Sequence, residues 1–370
     1  MGNKIGYLST DWVVDTAKNG YAIPLTPNGC TWYRLYLPSL ELSKYGWKSS
    51  LGVPGHHTSF GFAPLSSPQD SGTGFIPDIV VFKLLMYKPF LGLIAHAQSL
   101  GQKVVVDVDD WFKNIPESNI AYERTDPLVH EDNNRDIYEQ IIFAADAVIC
   151  STQFLYDYYS SLRSNVFLVN NGVDLKRFTV YKHSDSWHPT IGWVGMTPWR
   201  GDDLEECLWM NDFLVRNKLR FHHAGAHSDH NRDIEDVMGL DKGLVSKSST
   251  IPTHVVGQLY ANMDIGIVPL SGHEFNRSKS FLKGLEYAAS GIPFVASWSP
   301  EYQLLADAGV GRVARTQDEW EYHLTELLDP DLRADEAFLN LKIVREKFSM
   351  HLRGKEWHKV FQEINKIKKV

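Results

Sequence analysis

Long apolar runs are missing from this 370-residue chain, and none approaches the ~18 consecutive residues that a membrane-spanning helix requires. The opening residues, Met1-Gly2-Asn3-Lys4-Ile5-Gly6-Tyr7, pass almost directly into a strand-like segment and lack the apolar region of a secretory signal. The cytoplasm is the expected compartment. Cysteine is scarce: Cys30, Cys150 and Cys207 are far apart and odd in number, which argues against a disulfide framework and against a zinc knuckle. Positive charge is not in excess. The 37 Lys and Arg stand against 45 Asp and Glu, a net charge of -8, so no global field draws the protein to nucleic acid or anionic lipid. A local basic site for a phosphorylated small molecule stays open. Internal repeats and low-complexity tracts are also lacking. What remains, 43% hydrophobic and 22% charged residues, is the balance of a globular protein with a proper core. The length suits two domains.

Short aliphatic or β-branched runs alternate with helical patterns along the whole chain. Expected strands are Lys4 to Leu8, Asp78 to Phe82, Lys103 to Val108, Ala147 to Cys150, Thr190 to Val194, Asp264 to Val268, Pro293 to Ala296 and Gly309 to Val313. Between them, 3.6-residue apolar spacing predicts helices over Trp32 to Tyr45, Arg135 to Ala145 and Phe281 to Ser290. Repeated strand–helix alternation implies parallel sheets covered on both faces, hence an α/β protein of two doubly wound, Rossmann-like domains. The polar, aperiodic stretch within Phe178 to Pro189 marks the seam. That gives an N-terminal domain over 1–180, a C-terminal domain over 190–350, and a last helix over 352–370 that can pack back on the first domain. The loops His56 to Gly74 and Lys113 to Asn134 are long for connectors, as functional loops often are. Ligands of doubly wound domains bind outside the carboxyl ends of the strands, so the residues just after strands carry the chemistry.

The segment from His273 to Pro293 is the richest. On a helix, Phe281, Leu282, Leu285, Ala288 and Ala289 form one apolar stripe, with Lys279, Lys283, Glu286 and Ser290 opposite. Ser278 has the chemistry of an N-cap, and a helix N-terminus offers free N–H groups to an anion. Arg277 and Lys279 would add positive charge for a diphosphate, and Glu286 could accept two hydrogen bonds from a ribose diol. The residues alone allow a second reading, a solvated helix face with an incidental Lys–Glu pair.

The run Glu286-Tyr287-Ala288-Ala289-Ser290-Gly291-Ile292-Pro293-Phe294-Val295-Ala296-Ser297 resembles the donor-site motif of retaining GT-B glycosyltransferases of family 4. Three further segments are similar to that family: Asn170-Asn171-Gly172-Val173-Asp174 with Phe178, Ile191-Gly192-Trp193-Val194-Gly195 with Arg200-Gly201, and Tyr260 to Asp264 leading into a strand. The resemblance implies a GT-B fold, its two domains facing across a cleft. It also implies transfer of a hexosyl or related group from a nucleoside-diphosphate sugar to an acceptor hydroxyl, with retention and without a metal or other cofactor. Glu286 would hold the ribose. The turn of Ser278, Lys279 and Ser280, with Gly195, Arg200, Arg277 and Lys283, would hold the donor, and Arg200 and Lys279 would stabilise the leaving diphosphate. The family usually carries a Glu at the position of Ser278 and often a basic residue at that of Met196. These departures open a second class of function, a sugar-nucleotide binder or scaffold without turnover. A nucleotide-sugar epimerase on the same fold is a lesser option.

In the N-terminal half, Asn28-Gly29-Cys30 can form a glycine turn toward the donor phosphates, with Arg34 just beyond. The run Val104-Val105-Val106-Asp107-Val108-Asp109-Asp110-Trp111 sets three carboxylates at a strand end. Asp109 or Asp110 is expected to orient the acceptor hydroxyl or the sugar, and crowding of carboxylates would raise a pKa toward acid–base use. Asp107-Val108-Asp109 also has the form of a metal-binding Asp-x-Asp motif, a reading set aside because the resembling enzymes need no metal. Lys83 ends a strand nearby. His222, His223, His227 and His230 lack the paired spacing of a zinc site and are expected at a strand end and loop near the nucleotide base. Trp12, Trp32, Trp111 and Tyr122 can line an acceptor groove or lie in a core. Trp32-Tyr33-Arg34 and Asp109-Asp110-Trp111 resemble pieces of glycosyltransferases encoded by tailed phages. That implies a host-cytoplasmic enzyme whose acceptor is a protein, a glycan or a modified nucleic acid.

Overall fold

The computed structural model describes residues 3–16, 22–27, 29–52, 63–64, 77–125, 133–181, 186–197, 200–225 and 233–368. The chain forms two compact units. One comprises Met1–Lys113, Arg124–Gly172 and Met350–Val370; the other comprises Asn114–Glu123 and Val173–Ser349.

The first unit contains β1 (Lys4–Ser9), a separate antiparallel pair β2 (Trp12–Thr16) and β3 (Ala22–Pro27), then β4 (Lys48–Gly52), β5 (Ala63–Pro64), β6 (Ile79–Lys83), β7 (Lys103–Val108), β8 (Ala147–Cys150) and β9 (Val166–Leu168). Its main sheet runs β5-β4-β1-β6-β7-β8-β9, parallel except for the edge strand β5. The central strands β6 and β7 are buried at every residue. Their continuous Val and Ile runs, not alternating ones, are what a strand covered on both faces requires.

The expected helix over Trp32 to Tyr45 is built differently. It starts at Gly29–Thr31, widens into a π-helical stretch at Trp32–Tyr36 and returns to α-helix at Leu37–Ser43. Pro38 supplies the reason: it has no N–H for the carbonyl one turn back, and its ring crowds that carbonyl. The chain opens instead, and the Leu37 N–H reaches the Trp32 carbonyl. The helix Met350–Lys366 completes this unit, with Trp357, Phe361 and Ile364 buried and Trp47 donating from Nε1 to His358 Nδ1 at 2.9 Å.

The second unit contains β10 (Thr190–Val194), β11 (Arg220–Ala224), β12 (Val245–Ser248), β13 (Ile265–Val268), β14 (Phe294–Ser297) and β15 (Arg312–Ala314). They form a wholly parallel sheet in the order β12-β11-β10-β13-β14-β15. The order reverses between β10 and β13, so the carboxyl ends of those two strands flank the switch point. One face is covered by a cluster that includes Tyr260, Leu285, Tyr287 and Tyr302, the other by Phe213, Phe221, Trp320 and Leu324.

Gly192 and Gly266 lie side by side on β10 and β13. A Cβ on Gly266 would fall 2.5 Å from the Tyr287 ring, so the absent side chain is what lets that ring lie on the sheet. The Tyr287 hydroxyl reaches the Gly192 and Ile267 carbonyls at 3.1 and 3.3 Å, with the Val194 N–H at 3.2 Å. Tyr287 thereby fixes the helix Leu282–Ala289 over the switch point. That helix stops at Gly291, whose φ of +72° and the Ile292 N–H to Tyr287 carbonyl bond turn the chain into Pro293 and β14. No helix among the described residues is long and apolar enough to cross a membrane.

Candidate functional site

The carboxyl end of β10 runs into Gly195, whose N–H donates to the Ala224 carbonyl at 2.9 Å. His223 donates from Nε2 to the Gly195 carbonyl at 3.1 Å. A Cβ on Gly225 would fall 1.8 Å from that same carbonyl oxygen, so the two loops touch backbone to backbone. Met196 follows and is exposed. Thr197 is buried, and its carbonyl accepts from the Arg200 N–H at 3.0 Å. Arg200 then begins the short helix Gly201–Glu205, its guanidinium donating to Asp203 Oδ2 at 2.9 Å.

Asp203 is the hub of this edge, and no motif in the sequence marks it. Its other oxygen, Oδ1, accepts from the Ser271 N–H at 2.8 Å, the Ser271 hydroxyl at 3.0 Å and Asn276 Nδ2 at 2.6 Å. Ser271 lies just past β13. Asn276 lies in the 3-10 helix Glu274–Ser278, where Arg277 is exposed and Phe275 is buried. Lys279 is half-buried, with its ammonium 4.1 Å from the centre of the Phe275 ring.

Ser278 does not cap the helix. Its hydroxyl donates to the Phe275 carbonyl at 2.7 Å, and the helix starts only at Leu282 with Phe281 as its N-cap. The 3-10 turn captures the serine locally, as short hydroxyl side chains readily allow. Ser280 is half-buried between the two helices. The face bearing Glu286 and Ser290 is not solvated either, since both are buried. Glu286 Oε2 accepts from the Tyr260 hydroxyl at 2.7 Å and lies 3.3 Å from Lys283 Nζ. Tyr302, buried on the helix Pro300–Asp307, lies within electrostatic range of both Arg200 and Glu286. Burial raises its phenol, with Arg200 opposing the shift and Glu286 adding to it. The loop after β10 thus carries Gly195 and Arg200, and the connection from β13 to β14 carries Arg277, Ser278, Lys279, Ser280, Lys283 and Glu286.

Gly29, Asp109 and Asp110 belong to the first unit. Gly29 is exposed and opens the first helix, while Asn28 lies outside the described residues. At the strand ends, Asp107 and Asp109 are buried and paired with cations. Arg34 binds Asp107 through Nη2 at 2.8 Å and Nε at 3.1 Å, donates to the Val169 carbonyl at 2.6 Å and lies over the Trp357 ring at 4.9 Å. Lys83 lies 2.5 Å from Asp109 Oδ1 and 3.5 Å from Asp107 Oδ1. Arg34 and Lys83 are therefore buried ion-pair partners, not groups presented to solvent.

The expectation of a raised carboxyl pKa fails for Asp109. Burial pushes it up, but the Lys83 ammonium and its hydrogen bond outweigh that and hold it below the usual range. Asp110 is half-buried. Trp32 and Trp111 are buried, Trp111 against Phe154 and Tyr158 with ring centres 5.1 Å away, so neither is an exposed sugar platform. The side chain of Trp12 lies outside the described residues, and Tyr122 is half-buried.

His222 and His223 point to opposite faces of β11. His222 bonds Ser246 and Ser248 at 2.8 and 2.7 Å, and burial lowers its pKa. His227 and His230 lie outside the described residues. Among the described residues, no group of three or more His, Cys, Asp or Glu side chains is arranged to hold a metal ion.

No protein-family model matches the sequence, and no curated protein sequence matches it either. Solved structures do. Sucrose-phosphate synthase from Thermosynechococcus elongatus is similar over 98% of this chain and 99% of its own, at 13% identity and a TM-score of 0.67. A glycosyltransferase from Rickettsia africae covers 99% and 100% at 14% identity, with a TM-score of 0.65. Anabaena HepE, solved in complex with UDP-glucose, covers 97% and 99% at 14% identity, with a TM-score of 0.62. The chain has the GT-B fold of these glycosyltransferases.

Proposed function

We propose that the protein transfers a sugar from a nucleoside-diphosphate sugar to an acceptor hydroxyl, with retention at the anomeric carbon and without a required metal. One observation carries this reading: Arg200, in the loop after β10, is tied through Asp203 to Ser271 and Asn276 after β13, the segment that leads into Lys279 and the buried Glu286. Arg200 and Lys279 supply positive charge for the leaving diphosphate, which is electrostatic stabilisation aimed where charge develops. Glu286, oriented by Tyr260, accepts from the ribose hydroxyls. In a front-face transfer the bond from the anomeric carbon to the diphosphate oxygen breaks as the acceptor oxygen bonds the same face. The acceptor proton passes to the departing phosphate oxygen, so no protein nucleophile is needed. Asp109, ion-paired to Lys83 and held ionised, is a poor proton shuttle but a fit acceptor of a sugar or acceptor hydroxyl; Asp110 is the more open of the two. The cytoplasm suits the three unpaired cysteines.

A second reading, a sugar-nucleotide binder without turnover, is favoured by the exposed Met196 and by the Ser278 hydroxyl turned into its own 3-10 helix. A thermal-shift screen against UDP-, GDP-, ADP- and TDP-sugars identifies the donor. Slow release of nucleoside diphosphate from it then separates enzyme from binder. Glu286→Ala and Arg200→Ala are each expected to cut that release at least tenfold. Release unchanged in both variants sinks the site assignment, and binding without release supports the second reading.

A further inference from the structure

A single buried carboxylate joins the two strand-end loops of the second unit. Asp203 is 5% exposed, and both its oxygens are used. Oδ2 accepts from Arg200 at 2.9 Å, while Oδ1 accepts three bonds from Ser271 and Asn276 between 2.6 and 3.0 Å. Asn276 Nδ2 also reaches the Ser271 carbonyl at 3.1 Å, which closes the loop on itself. The β10 side of the switch point, with Arg200, is thus tied to the β13 side, which leads directly into Arg277 to Lys283. Asp202 next door makes a contrasting tie. It is about one-third exposed and bonds His273 at 3.1 Å and Ser118, a surface contact of small energetic weight.

We infer that Asp203 is a positioning residue: it holds the Arg200 guanidinium and the Ser271–Asn276 loop in the one relation that grips the second phosphate of the donor. An ionised carboxylate is the only side chain that accepts at both ends. An asparagine of the same shape has one acceptor oxygen and one NH2, so whichever way it turns, an N–H faces either Arg200 or the Ser271 and Asn276 donors. Each mismatched buried donor costs as an unsatisfied polar group. The inference rests on the reading of Arg200 as a diphosphate ligand.

The test compares UDP, GDP, ADP and TDP, each beside its monophosphate, by calorimetric titration of the full chain. For the base that binds, Asp203→Asn is expected to weaken the diphosphate at least tenfold and the monophosphate less than twofold. Asp202→Asn should change neither. Ser271→Ala removes one of the four bonds and should show a smaller loss with the same selectivity, which keeps the test open if Asp203→Asn fails to fold. Arg200→Ala combined with Asp203→Asn should lose less than the sum of the two single losses, because part of the Asp203 effect runs through the same guanidinium. Equal loss of both nucleotides in Asp203→Asn, or loss of neither, overturns the inference. If Arg200→Ala itself leaves the preference for diphosphate intact, the functional reading of Arg200 fails, and the positioning role falls with it. The amide exchange of Ser271 is read in parallel. Unchanged protection in Asp203→Asn rejects the tie itself, whatever the nucleotide data show.

Discussion

The hydroxyl of Tyr260 gives its hydrogen bond to a buried carboxylate, and bonds to charged groups are worth more than neutral ones. Tyr260→Phe is therefore expected to lower unfolding free energy by about 1.5–3 kcal/mol and to weaken nucleotide binding, since Glu286 loses a close hydrogen-bond donor. Titration calorimetry beside urea unfolding reads both, and an unchanged affinity would detach Glu286 from the nucleotide. Arg34, Asp107, Lys83 and Asp109 make a second residue-scale case. Removing one member of a buried ionic set strands the others, so Asp107→Asn should cost about 3 kcal/mol in urea unfolding. Its effect on nucleotide affinity should be small. The sequence placed these charges at strand ends, where their types are visible. It could not show that Arg34 lies against Asp107, because that contact spans two distant segments. The same limit hid Asp203, whose acid in the first turn of a helix reads as ordinary dipole chemistry until Ser271 and Asn276 are placed beside it.

At the scale of elements, the strongly apolar strands were the most legible. Lys103–Val108, Ala147–Cys150 and Thr190–Val194 stand as expected from their buried runs. The strand Val245–Ser248 was not expected, and of Arg220–Ala224 only the end at His222 to Ala224 was; polar residues within them explain why. His222 on β11 is buried only because Ser246 and Ser248 of β12 satisfy both ring nitrogens, a cross-strand pairing that no local pattern announces. This pairing sets a pH dependence. Burial lowers the pKa of His222 below its ordinary 6.5, so the unfolded chain binds the proton first as pH falls. The stability contributed is full above about pH 6.5 and is lost progressively below it. Melting temperature should hold level from pH 8 to 7 and decline below 6.5, with a flatter decline in His222→Gln. His323 shifts the same way through its burial and adds to the slope, so a residual decline in that variant is expected. A profile identical in the variant and the parent would remove His222 as a cause.

For the whole molecule, the two-sheet α/β architecture followed from strand–helix alternation, while the place of residues 114–123 did not. Residues 114–123 belong with the second unit although both their chain neighbours belong with the first. Asn114 donates to Glu274 at 2.7 Å, a contact between polar residues that carry no local signal. The helix Met350–Lys366 belongs with the first unit and buries Trp357 against Arg34. Deleting residues 350–370 removes a fully buried tryptophan and uncovers its partners, a loss of at least the 3–5 kcal/mol typical of a single buried Trp. Calorimetry should then show the transition of the first unit lost or shifted well down while that of the second persists; two unchanged transitions would contradict it. The same helix also sets an order of events on the ribosome. Domains tend to finish folding in the order in which they are made, yet here the earliest residues must wait. The second unit is complete once Ser349 has emerged, whereas the first still lacks Trp357, so the unit begun first is closed last. The helix Leu37–Ser43 and Trp47, which pack against Met350–Lys366, wait uncovered until that helix is made, which makes the N-terminal half the part of the nascent chain most in need of a chaperone.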